Sequence, residues 1–130
     1  MKYDYVLDTY ALVELFNGTK KGQVVGELLV QGKSAISILA LAELSDKCAK
    51  ENRAIQPFVD GLKSAVAILP LTQEIALQTG KTKQKLRMIS KNVSFADCVH
   101  FLTAQSVEAS FVTGDSDFQP IKEQGILFLE

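Results

Sequence analysis

Five acidic residues stand where short apolar runs give way to polar turns, and they are the chain's best material for chemistry. Asp8 directly follows the apolar run Tyr3 to Leu7. Asp115 follows the β-rich run Ser110 to Thr113 by two residues, and Asp117 lies two further on. Asp97 comes three residues after Ser94, in the first turn of a helix. Glu43 is the first charge after Lys33, in the apolar run that opens at Ser34. Each acid has a structural reading of its own. Asp8 caps the next helix, Ser94-Phe95-Ala96-Asp97 has capping-box spacing, and Asp115 and Asp117 are ordinary turn residues. Glu43, in so apolar a stretch, is solvated at an edge, paired, or bound to a cation.

Jointly these readings weaken. Four or five carboxylates converging on one edge, with no obvious basic partner in the sequence, raise one another's pKa unless something positive sits among them. A divalent cation is the economical answer. Oxygen ligands without a neighbouring His or Cys favour a hard ion, Mg²⁺ or Mn²⁺. Such an ion activates water and stabilises the charge that develops in phosphodiester hydrolysis.

Other residues carry less. His100, the sole histidine, falls three residues after Asp97 and reads as a packed or surface residue, with general-base work as the alternative. Cys48 and Cys98 lack metal-finger spacing and sit on apolar stripes, so they read as reduced core thiols of a cytoplasmic protein. Lys81, Lys83, Lys85, Arg87 and Lys91 form a basic stretch free of acids, read as a solvated helix face or as a surface that tracks phosphates. Aromatic residues do not interleave regularly with it, so no base-stacking platform is expected. A net charge of −1 argues against nucleic-acid binding by global electrostatics and leaves only this local patch. No Walker loop, GxGxxG or GxSxG is present. The N-terminus does not read as a signal peptide, and no apolar run approaches membrane-spanning length.

These acids need a frame. The 130 residues, with no repeat or linker-like tract, predict one domain over 1–130. Strands are expected at Tyr3 to Leu7, Ala35 to Ser37, Val66 to Leu69, Ser110 to Thr113 and Ile126 to Leu129. Helices are expected over 9–16, 22–31, 38–51, 55–63, 72–88 and from Ser94 onward. Short apolar strands alternating with amphipathic helices predict an α/β fold, a three-layer α/β/α sandwich around a mostly parallel sheet of four to five strands. In such sheets the functional crevice lies at the carboxyl ends of the strands, where these acids fall.

The motifs also resemble a known family. Val6-Leu7-Asp8-Thr9-Tyr10-Ala11-Leu12 resembles the opening of PIN domains, Leu41-Ala42-Glu43-Leu44 their second acidic site, Ser94-Phe95-Ala96-Asp97-Cys98 the third, and Val112-Thr113-Gly114-Asp115-Ser116-Asp117-Phe118 the fourth. The resemblance implies a metal-dependent ribonuclease with Asp8, Glu43, Asp97 and Asp115 as its acid quartet around Mg²⁺ or Mn²⁺. Asp115 fits the fourth place by its Thr-x-Asp-x-x-Phe spacing, and Asp117 assists or caps. Thr113 and Thr9 match supporting hydroxyl positions. The compact form resembles VapC-type toxins of prokaryotic toxin–antitoxin pairs, which implies a homodimer and a small VapB-like antitoxin that inserts its C-terminal segment in the groove. Two other readings stay in play: a receiver-like Mg²⁺-binding signalling domain and a catalytically silent PIN-like scaffold. The receiver reading wants an acidic pair after the first strand, where this chain has Asp8-Thr9, and a phospho-accepting Asp after the third, where it has Pro70-Leu71.

Overall fold

The computed structural model describes residues 2–121 and 125–130. In chain order the elements are β1 (Tyr5–Leu7), α1 (Thr9–Asn17), α2 (Lys20–Gln31), β2 (Ser34–Ser37), α3 (Ile38–Lys50), α4 (Gln56–Ala65), β3 (Ala67–Leu69), α5 (Gln73–Arg87), α6 (Phe95–Ser106), β4 (Ser110–Thr113), a 3₁₀ turn (Ser116–Phe118) and β5 (Ile126–Phe128). The expected alternation is present throughout, and β4 has the expected bounds.

The five strands form one sheet in the order β3-β2-β1-β4-β5, and every pairing is parallel. The chain steps outward from β1 to β2 and β3, then returns to the other side of β1 for β4 and β5. This reversal puts a crevice at the carboxyl ends of β1 and its neighbours.

Side chains in a strand alternate between faces, and the core divides accordingly. Leu7, Ile36 and Val112 point into one core with Leu12, Val25, Leu44 and Leu62 from the first four helices. Val6, Ala35 and Phe111 belong to the other, with Leu86, Cys98, Phe101 and Phe118. Both faces of the sheet are covered, which is the three-layer arrangement. Each fully buried Leu, Ile or Phe contributes about 1.5–3 kcal/mol, so neither face can be left open.

Polar residues stop and start the helices. Asp8 caps α1 by accepting the Ala11 N–H, Thr19 caps α2 through Gly22 N–H, and Thr72 caps α5 through Ile75 N–H. Gly18 ends α1 at φ 65°, a left-handed conformation that favours glycine. Ser94 and Asp97 form the reciprocal capping box at the start of α6. The structural readings of Asp8 and Asp97 are therefore correct, and both residues stay available for more.

Candidate active site

Asp8, Ser37 and Thr113 stand at the carboxyl ends of β1, β2 and β4, three strands adjacent in the sheet. Asp8 is the most constrained of the acids, with only 3% of its surface exposed. Its Oδ1 accepts the Ala11 N–H at 2.8 Å, and its Oδ2 accepts the Thr113 hydroxyl at 2.5 Å. Burial pushes its pKa up to about 6. The Thr113 and Ala11 hydrogen bonds and the His100 ring pull the other way, and Asp97 adds a smaller upward push. Burial outweighs two hydrogen bonds here, which leaves a carboxyl with a raised appetite for positive charge, whether a proton or a cation. Repulsion among the acids, expected from the sequence to drive such shifts, comes second to desolvation.

Asp97, Asp115 and Asp117 form the open part of the site. One carboxylate oxygen from each lies within 4.8 Å of the others. Asp97 is held by the capping box, its Oδ2 accepting the Ser94 N–H at 2.9 Å. Asp115 is fixed at both ends: its N–H donates to Thr113 Oγ1 at 3.1 Å, and its Oδ1 accepts the Asp117 N–H at 2.9 Å. Thr113 therefore touches Asp8 through its hydrogen and Asp115 through its oxygen. Burial raises the pKa of Asp97, opposed by the Ser94 bonds and assisted by Asp115. Asp117 is raised by burial and then by Asp115.

Glu43 is held apart from that trio. Its Oε1 accepts the Thr9 hydroxyl at 2.6 Å and lies 2.6 Å from His100 Nε2. Burial raises its pKa, but the His100 and Thr9 bonds outweigh burial and hold the carboxyl below its ordinary value. The expectation that these acids lack a basic partner is corrected at this point, because His100 is that partner. The ring is packed, as the sequence suggests, with 1% of its surface exposed, and Nδ1 lies 2.8 Å from Ser37 Oγ. Its spacing from Asp97, one helical turn on, was the available signal. The mates Ser37 and Glu43, 63 and 57 residues away, were not visible as such.

The donor set suits a hard cation. Three carboxylate oxygens gathered within 4.8 Å of one another are the kind of oxygen-only donor set that Mg²⁺ or Mn²⁺ takes. Neither nearby soft group competes. Both ring nitrogens of His100 are occupied, and burial pushes the Cys98 thiol up to about 11, with Asp97 adding to the effect.

The basic stretch flanks this edge. Lys81, Lys83, Lys85 and Arg87 lie on α5, which packs against α6, and Lys91 lies in the turn beyond. Lys83 Nζ sits 3.9 Å from the centroid of the Phe95 ring, and Arg87 Nε donates to Val93 O at 2.8 Å. Phe95 opens α6 two residues before Asp97 and remains 58% exposed. An aromatic ring and a cation thus adjoin the acids at one point, although the sequence showed no interleaving pattern. On the other flank Gly114 admits the Tyr10 ring: a Cβ there would lie 2.5 Å from Tyr10 Cε1.

The PIN domain family model matches residues 5–124. The chain belongs to the PIN domain family. Its four acidic motifs fall inside the matched region. The PIN architecture also recurs in solved structures. A toxin–antitoxin complex from Klebsiella pneumoniae aligns with TM-score 0.75 and 21% identity, over 98% of this chain and 98% of that one. VapBC-1 from nontypeable Haemophilus influenzae aligns with TM-score 0.75 and 21% identity, over 96% and 97%. DNA-bound VapBC from Salmonella typhimurium aligns with TM-score 0.67 and 21% identity, over 98% and 97%. At this identity they establish a shared fold. No curated protein matches the chain.

Proposed function

We propose that this PIN domain is a divalent-metal-dependent endoribonuclease, the toxin of a prokaryotic type II toxin–antitoxin pair. One observation carries the reading: the carboxylates of Asp97, Asp115 and Asp117 converge beside Asp8, a buried acid whose pKa is pushed up to about 6. Acids gathered at a sheet's carboxyl edge, with the pKa values of Asp8, Asp97 and Asp117 raised, are costly to the fold and useful to a cation. Family membership supports nuclease chemistry, and the toxin–antitoxin neighbours support the toxin assignment.

In this reading Asp8, Glu43, Asp97, Asp115 and Asp117 hold Mg²⁺ or Mn²⁺, directly or through water. Glu43, kept ionised by His100 and Thr9, orients the attacking water and accepts its proton. When bound, the cation supplies Lewis acidity that lowers the pKa of water and neutralises charge on the phosphate. Thr113 sets the angle between Asp8 and Asp115, and the Ser94 capping box fixes Asp97. Lys81, Lys83, Lys85 and Arg87 neutralise backbone phosphates of the RNA, and Phe95 offers a base a surface to stack on.

The same reading carries a homodimer in the cytoplasm and a small VapB-like antitoxin whose C-terminal segment occupies the groove. No helix among the described residues is long and apolar enough to cross a membrane. The receiver-like alternative fails on its own requirements, since β3 is followed by Pro70-Leu71 rather than a phospho-accepting Asp. A silent scaffold would have no reason to keep a full set of acids together.

The test is incubation of the purified protein with a structured RNA pool in Mg²⁺, Mn²⁺ or EDTA. Cleavage only with metal supports the proposal. Cleavage that survives EDTA, or none by folded protein at saturating metal, counts against it.

A further inference from the structure

Ser37 occupies the N-cap position of α3, where a serine ordinarily accepts a backbone N–H, yet its side chain makes no cap hydrogen bond. Its hydroxyl is instead 2.8 Å from Nδ1 of His100. The ring is buried, and its other nitrogen, Nε2, is 2.6 Å from Glu43 Oε1. That oxygen also accepts the Thr9 hydroxyl at 2.6 Å.

We propose that His100 is a positioning residue that aims Glu43, and that Ser37 fixes the tautomer with which it does so. An ionised carboxylate only accepts hydrogen bonds, so Nε2 must carry the proton that it shares with Glu43. In the neutral ring Nδ1 is then the acceptor of the Ser37 hydroxyl. A helix cap is given up so that one ring stays in one protonation pattern. His100 and Thr9 both bond to Oε1, and no hydrogen-bond partner takes Oε2 among the described residues. Oε2 is therefore the oxygen left for water or a cation. Partners of this kind orient a carboxylate ligand, and their loss typically lowers metal affinity roughly ten- to a hundredfold.

The inference rests on reading Glu43 as a site carboxylate, but its first readout is independent of cleavage. The chain has a single histidine, so ring ¹⁵N NMR reports on His100 alone. A ring protonated at Nε2 and bare at Nδ1, with the Nδ1 resonance moved by Ser37→Ala, is the expected result. A ring protonated at Nδ1 overturns the proposal. The second readout is calorimetric Mn²⁺ binding. His100→Leu, which cannot donate, should weaken binding about tenfold, and His100→Gln, which restores an N–H donor, should recover most of it. Equal loss in both variants, with both folded, assigns His100 to packing and overturns the positioning role. If RNA is never cleaved but these results hold, the nuclease reading fails and the Ser37–His100–Glu43 arrangement stands.

Discussion

Thr113 and Asp8, 105 residues apart in the chain, are joined by a hydrogen bond from Oγ1 to Oδ2 at 2.5 Å. Both residues are fully buried or nearly so, at 0% and 3% exposure, and the bond ties the ends of the two central strands together at the acidic edge. Thr113→Val keeps the shape and deletes the donor. It should destabilise the protein by about 1–3 kcal/mol, the cost of an unsatisfied buried acceptor, and push the Asp8 pKa further up. Thr113→Ser should lie much closer to wild type. Denaturant unfolding of the two variants checks this, and equal stabilities would remove the bond from the account.

Asp8 itself makes the fold sensitive to pH, with a sign that can be worked out. Its folded pKa, about 6, lies above the ordinary 3.8, so the folded state binds the proton more tightly than the unfolded one. This contribution is fully present below pH 3.8 and is lost as pH rises through about 6. The ceiling is about 3 kcal/mol at 1.36 kcal/mol per unit. Asp8→Asn, which never ionises, should therefore be more stable than wild type at pH 7 without metal, by about 1–2 kcal/mol after imperfect hydrogen bonding. The advantage should vanish at pH 4. Thermal melts at the two pH values decide it; a variant no more stable at pH 7 than at pH 4, each relative to wild type, contradicts the burial argument.

Divalent cations should stabilise the native protein, because they bind the folded cluster and not the unfolded chain. At a hundred times the dissociation constant, linkage gives about 2.7 kcal/mol. Mn²⁺ should raise the melting temperature of wild type and have little effect on an Asp97→Asn, Asp115→Asn double variant. An equal rise in both would place the binding elsewhere.

Gly114 is small because Tyr10 lies against it. A Cβ added there meets Tyr10 Cε1 at 2.5 Å, closer than any real contact, so Gly114→Ala must displace the ring or the turn that carries Asp115. Overpacking of this kind costs about 1–3 kcal/mol. The variant should be destabilised, and Tyr10→Ala in the same chain should relieve much of the loss. Additive rather than compensating effects in that double-mutant cycle would mean the contact does not restrict the turn.

Lys83 and Phe95 give the RNA reading its own test. Binding to an oligonucleotide in EDTA should weaken several-fold for Phe95→Leu with little change in salt dependence. Lys83→Ala should lower the salt slope by about 0.7, the value for one phosphate of a single strand. If neither variant alters binding, the ring and the ammonium merely cover one another and the α5 lysines are a solvated face.

The fold was largely legible because its determinants are local. Apolar runs such as Ser110–Thr113 and caps such as Thr72 and Ser94 are written in consecutive residues, and the parallel sheet follows from strands separated by helical stretches. Asp8, Asp97, Asp115 and Asp117 were legible for the same reason, each lying within four residues of a strand end or cap, and Glu43 stood out by its isolation in an apolar run. At Asp97 a cap and membership of the acidic cluster coexist, since its Oδ2 accepts the Ser94 N–H while the carboxylate stays within reach of Asp115 and Asp117, and Asp8 caps α1 through Oδ1 while its Oδ2 meets Thr113. What the sequence hid were relations across the fold. His100 joins Ser37 and Glu43 only because β2, α3 and α6 meet, and Phe95 meets Lys83 only because α5 packs on α6. The dominance of burial over mutual repulsion at Asp8 was hidden too, because a sequence carries no solvent boundary.

The most direct test of the central claim is the cleavage rate of one defined RNA, first found in the pool, by wild type and Asp8→Asn at saturating Mn²⁺. The account predicts a loss of at least a hundredfold, about 2.7 kcal/mol of transition-state stabilisation, in a variant that remains folded. Cleavage by Asp8→Asn at the wild-type rate would contradict it, and the site would have to be sought elsewhere on the molecule.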